Sequence, residues 1–258
     1  MALSSAEKKL AAQLSFEEGV LLTVKQVAGQ TLPIEFEKLE LETIRSTEDE
    51  EFDADRLPAS VEVAKGTDEK SAVLKTRGVF FAVPPADAIS IVLDLIAELE
   101  ASGYAAMLLN EDSLKQVLGK VWEDLRDRGQ SPTLIGIIQA RDPYDLLRIQ
   151  GTNATNYDLT TEDIIERLQE WEDLCNFGIL SAGGDTLDLA FTTLPDDLED
   201  FAEAVYEFCP DILDQGYLGS PLDEDASAEE FEEALEAQTT EDIVAFLERE
   251  KYLSFWWD

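Results

Sequence analysis

The sequence predicts an α+β protein. An N-terminal α/β region, a hairpin plus a strand-helix-strand unit, precedes a C-terminal ferredoxin-like βαββαβ layer that carries an acidic helical insertion. Three observations predict this. Short apolar runs bounded by turn residues alternate with segments of helical periodicity through the 258 residues. Once an acidic stretch is set aside, the second half reads strand, helix, strand, strand, helix, strand, the order of a split βαβ layer. Hydrophobic residues make up 45% of the chain, with 12 Phe, 6 Tyr and 4 Trp, so a packed core is available despite the charge.

In chain order, residues 4–14 read as a short polar helix, followed by two strand-like runs at 19–27 and 32–44 that would form the hairpin. In the second run Ile34, Phe36, Lys38 and Glu40 share one face and Glu35, Glu37, Leu39 and Leu41 the other. Residues 46–70, rich in Glu, Asp, Ser and Ala, read as an acidic loop. A strand at 78–83 leads through Pro84-Pro85 into a helix with Ile89, Val92, Leu93, Ile96 and Leu99 at helical spacing, and a second strand follows at 104–109. That unit crosses over right-handed if its strands pair in parallel. Residues 113–128 then form one amphipathic helix.

The second half opens with a strand at 133–139 and a polar connection at 141–159. Thr160 or Thr161 caps a helix over 162–174, with Ile164, Ile165, Leu168 and Trp171 inward and Glu162-Asp163 at its positive end. A strand at 177–181, a turn at Ala182-Gly-Gly-Asp185 and a strand at 186–193 make a hairpin with Leu187, Leu189 and Phe191 inward. Pro195-Asp-Asp opens a helix over 198–208, the insertion has helical patterning at 229–237 and 241–248, and an aromatic strand at 252–257 ends the order. Domains are expected at 1–130 and 131–258.

Charge narrows the function. With 19 Lys+Arg against 57 Asp+Glu the net charge is −38, so the surface repels nucleic acid and anionic membrane, which are bound through cations that are outnumbered three to one here. Histidine is absent, which removes His-dependent nucleophile systems, His-containing zinc sites and imidazole acid/base chemistry. No cofactor, no metal site and no catalytic set is expected. The N-terminus lacks a signal-peptide profile and no apolar run approaches a membrane span, so a cytoplasmic protein is expected. Cys175 and Cys209 are too few and too unpatterned for a disulfide framework and read as buried small hydrophobes.

The acidity is uneven. Residues 1–130 carry a net −11 and residues 131–258 a net −27; between Arg167 and Arg249 lie 81 residues with 24 acids and no Lys or Arg. Carboxylates in such a stretch must be hydrated, screened, or turned toward a cationic partner. The acidic face is expected to comprise Asp196, Asp197, Glu199, Asp200, Glu203, Asp223, Glu224, Asp225, Glu229, Glu230, Glu232, Glu233 and Glu236. The insertion lacks the Asp-x-Asp-x-Asp-Gly spacing of a calcium loop, and Gly183-Gly184 is a turn with no Lys-Ser/Thr to make it a phosphate cradle.

Three ordered segments carry a resemblance: Asp142-Pro-Tyr-Asp-Leu-Leu-Arg-Ile-Gln-Gly-Thr-Asn-Ala-Thr-Asn-Tyr-Asp-Leu, Phe201-Ala-Glu-Ala-Val-Tyr-Glu-Phe-Cys-Pro-Asp-Ile-Leu-Asp-Gln-Gly, and Leu253-Ser-Phe-Trp-Trp-Asp. Together they resemble the bacterial family of domains of unknown function DUF 4253, over roughly residues 131–258, with an insertion at about 218–240 that is longer and more charged than the family pattern. The resemblance implies a bacterial or phage-borne protein but does not indicate an activity. Within it Gln150, Thr152, Asn153, Asn156, Tyr157, Cys209, Asp211, Gln215 and Trp257 are the candidate polar cluster. The amide-rich loop 150–157 reads first as an internal turn network and second as a ligand site. A reactive Cys209 would need a positive neighbourhood, and its segment is acidic. Of Trp256 and Trp257, one ring is expected to pack on the helices and the other to be exposed as a partner anchor.

The expected function is a non-enzymatic inhibitor of the immunity or antitoxin type, docking its acidic face on a basic protein such as a nuclease toxin, with direct nucleic-acid and membrane binding excluded. A DNA mimic, adaptation of the surface to high salt, and a carboxylate/metal enzyme are the alternatives.

Overall fold

The computed structural model describes residues 2–29, 33–47, 52–68, 70–99, 101–214 and 237–257. The chain divides into two compact units, Met1–Gly151 and Thr152–Asp258, so the division expected near residue 130 lies at 151. Both units mix helices with antiparallel sheets, as the α+β reading expects.

The first unit begins with α1 (Ser5–Leu14), where Ser4 and Glu7 form a capping box. It continues with α2 (Glu18–Ala28), where a strand was expected. Val20, Thr23, Val24 and Val27 give this segment a β-rich composition, but its buried residues Val20, Leu21, Val24 and Ala28 recur at helical spacing, and burial decides. The expected hairpin therefore does not form. Its second strand is β1 (Glu37–Ser46), which alternates buried Leu39 and Leu41 with exposed Glu40 and Glu42 and pairs antiparallel with β3 (Ser71–Val83) instead. The acidic stretch 46–70 contains a 3-10 turn at Ala54–Arg56 and a short strand, β2 (Glu62–Lys65), also paired with β3.

After β3 come α3 (Ala88–Leu99) and β4 (Tyr104–Leu108). The single helix expected next is two, α4 (Glu111–Leu118) and α5 (Lys120–Asp127), broken at Gly119, whose φ of 54° and ψ of −131° suit only glycine. The strand β5 (Thr133–Gln139) buries Leu134 through Ile138 without a break, and α6 (Asp145–Gln150) follows it. In the sheet order β1-β3-β5-β4 every pairing is antiparallel, so β3 and β4 run parallel with β5 between them. The predicted strand-helix-strand unit is present but split.

That placement of β5 corrects the ferredoxin-like expectation. A strand apolar on both faces needs cover on both and a neighbour at each edge, and β3 and β4 supply the neighbours. Among the described residues, the second unit is left with three strands: β6 (Asn176–Ala182), β7 (Thr186–Thr193) and β8 (Tyr252–Trp256), in the order β6-β7-β8. Its helices are α7 (Thr161–Glu172), α8 (Leu198–Phe208), the short α9 (Asp211–Asp214) and α10 (Thr240–Glu250). Trp171 of α7 is the centre of its core, with ring centroids 5.0 Å from Phe201, 5.2 Å from Phe208 and 6.0 Å from Phe255. Among the described residues no helix is long and apolar enough to cross a membrane.

In the first unit, Glu7 and Lys25 form a largely buried ion pair at 2.5 Å that joins α1 to α2. Burial pushes the Glu7 carboxyl up, but hydrogen bonds from Lys25 and Ser4 outweigh it and hold the group below its usual 4.5. Because the folded value is the lower one, the pair stabilises the fold above about pH 4.5 and loses that contribution as pH falls through the depressed value. Glu7→Gln is expected to cost about 2 kcal/mol at pH 7. The gap between wild type and variant in urea denaturation should close as the pH is lowered through this range.

Candidate functional site

The matched motif at 142–148 lies in the first unit, where β5 delivers the chain into a tight turn and α6. Asp145 is fully buried. Its carboxylate accepts from the Arg141 backbone N–H at 2.7 Å, from Arg141 Nε at 3.2 Å and Nη2 at 2.7 Å, and from Arg148 Nη1 at 3.4 Å. Hydrogen bonding to Asp145 pushes the Arg141 guanidinium further above its already high value. Arg148 also donates to Asp142 at 3.2 Å, and Arg141 to the Arg56 carbonyl.

Arg45, buried on β1 with its guanidinium over the Phe52 ring, donates to the Arg148 carbonyl at 3.1 Å. Gly151 ends α6 at a φ of 68°, a conformation that favours glycine, and a Cβ there would displace the Arg45 guanidinium. Two arginines, Arg141 and Arg148, thus hold two aspartates, Arg45 braces the Arg148 carbonyl, and the motif's charge is used within the fold. Sequence reasoning missed this lock because Arg45 and Arg56 lie 103 and 85 residues from their partners in the motif; the i, i+4 and i, i+3 spacing of Arg141, Asp145 and Arg148 was its visible sign.

The candidate polar cluster is divided between the units. In the first, Gln150 accepts from Thr43 Oγ1 at 3.5 Å. In the second, Thr152 is fully buried and donates to the Gly183 carbonyl at 2.6 Å, while the Asn153 N–H donates to the Gly184 carbonyl at 3.0 Å and Thr155 donates to the Asn153 side chain at 2.6 Å. These residues tie the loop to the turn of the β6-β7 hairpin. Asn156 is exposed, Tyr157 is half-buried, and Gln215 lies outside the described residues.

Cys209 and Asp211 are buried at the end of α8. The Cys209 thiol donates to the Trp256 carbonyl at 3.4 Å, and burial, with the Asp211 charge adding to it, pushes its pKa up to about 12. Burial likewise raises Cys175 to about 11. Trp257 is the inward ring: it stacks on Phe255, meets Phe208 edge-on, and donates its N–H to the Phe208 carbonyl at 3.1 Å. Trp256 is half-buried, with its N–H 3.3 Å from Asp185.

Of the acidic-face residues, Asp196, Asp197, Glu199 and Asp200 are exposed at the start of α8 and Glu203 is exposed further along it. Asp197 caps that helix by accepting from the Asp200 N–H at 3.1 Å. Asp223, Glu224, Asp225, Glu229, Glu230, Glu232, Glu233 and Glu236 lie outside the described residues. Next to α8 is a groove of about 320 Å³ lined by Asp158, Leu159, Asp163, Glu166, Arg167, Glu170, Glu207 and Phe208. Five carboxylates there face one guanidinium, Arg167, whose Nε is 3.3 Å from Glu170. Hydrogen bonds from Thr160, as side chain and as backbone, hold Asp163 below the usual carboxylate range.

The sequence reading did not single out this groove. The repeats Glu162, Glu166, Glu170 on α7 and Glu199, Glu203, Glu207 on α8, each four residues apart on one helical face, were the signal available. Among the described residues, no three carboxylate, thiol or imidazole groups are placed to hold a metal ion.

Residues 134–258 match the model of the family described as a domain of unknown function, DUF 4253. The match begins inside β5 and takes in Arg141, Asp142, Asp145 and Arg148 of the lock, but not Arg45 or Arg56, together with the whole second unit. No curated protein and no solved structure matches the chain.

Asp145→Asn leaves two guanidiniums facing a neutral amide and is expected to destabilise the first unit by about 3 kcal/mol, the low end for a broken buried pair because Arg141 is half-exposed; chemical denaturation measures it. Both thiols should resist a thiol reagent at pH 8 in the folded protein and react fully once it is unfolded in guanidinium.

Proposed function

We propose that this chain is a non-enzymatic binding protein whose second unit docks an acidic face on a basic protein, as an immunity protein or antitoxin masks the cationic site of a nuclease. The observation that carries the reading is the pair of like-charge ladders on α7 and α8, with the groove beside them. Aspartates at helix starts have a structural use, since they cap N–H groups and complement the dipole. Glu166, Glu170, Glu203 and Glu207 lie further along their helices, where like charges four residues apart disfavour the helix that holds them. A cationic partner surface offsets that repulsion and gains association rate from the field, and a nuclease's own nucleic-acid site is such a surface.

The test is capture by the tagged full chain, side by side with the charge-reversed variant Glu166→Lys/Glu170→Lys/Glu207→Lys. The reading expects a basic nuclease or other nucleic-acid-binding protein held at low salt, released at about 1 M salt where the Debye length is ~3 Å, and lost from the variant. Capture that ignores both salt and charge reversal would overturn it. A DNA mimic would use the same face, and the identity of the captured protein separates the two.

Self-repulsion within the acidic unit also makes stability salt-dependent. The melting temperature of the full chain should rise between low salt and about 0.5 M NaCl, by roughly 2–4 °C for each kcal/mol of repulsion screened. The reversed variant should rise less. A flat profile for the wild type would count against a self-repelling face.

A further inference from the structure

We draw no further inference here: the strongest candidate, the acidic groove beside α7 and α8 lined by Glu166, Glu170 and Glu207, is a cluster of carboxylates for which no second observation in the structure points to a ligand.

Discussion

The first unit depends on the burial of β5. Leu134, Ile135, Ile137 and Ile138 project to both faces of their strand and all are buried, so β5 is stable only where both faces are covered and both edges are paired. The sheet order β1-β3-β5-β4 meets that demand. Three consequences follow: β3 and β4 become a split parallel pair, the second unit's sheet β6-β7-β8 forms without β5, and the chain leaving β5 enters the turn that the Asp145 lock secures. Because β3 and β4 both precede residue 134, the family match begins on a strand whose pairing partners lie outside it. Residues 1–133 are in this sense the other half of one sheet, and an N-terminal domain closing near residue 130 would leave β5 without neighbours.

Much of the second unit was legible because its signals are local. The Thr160 cap with Asp163, the inward set Ile164, Ile165, Leu168 and Trp171, and the alternation of Leu187, Leu189 and Phe191 each lie within one element, and each forms as the pattern requires. The misreadings occur where a tertiary partner decides. Residues 18–28 are rich in β-branched side chains yet bury a helical stripe. Glu62-Val-Ala-Lys has little strand character, and β2 exists through its pairing with Lys75 to Ala72 of β3.

The candidate site divides along the same line. Cys209, at a helix end, was legible as a packing group, and one of Trp256 and Trp257 as an inward ring, but not which of the two. The lock was half visible in the Arg141/Asp145/Arg148 spacing, but Arg45, whose guanidinium lies where a Cβ of residue 151 would stand, is supplied by a distant strand. The groove joins Glu170 of α7 to Glu207 of α8, and no spacing within a single helix announces that meeting.

The unit boundary also sharpens the charge. Residues 131–151 contain Arg141 and Arg148 against Asp142 and Asp145 and are neutral, so the whole −27 of the second half belongs to residues 152–258. A surface adapted only for hydration has no reason to place that excess in the smaller unit and leave −11 on the 151 residues of the larger one. Helix capping accounts for Asp163, Asp197 and Asp242, each bonded to a backbone N–H at its own helix start. It does not account for the glutamates farther along α7 and α8. Their mutual repulsion is the cost on which the proposed docking face rests, and the sign of the charge means that only a cationic surface would relieve it.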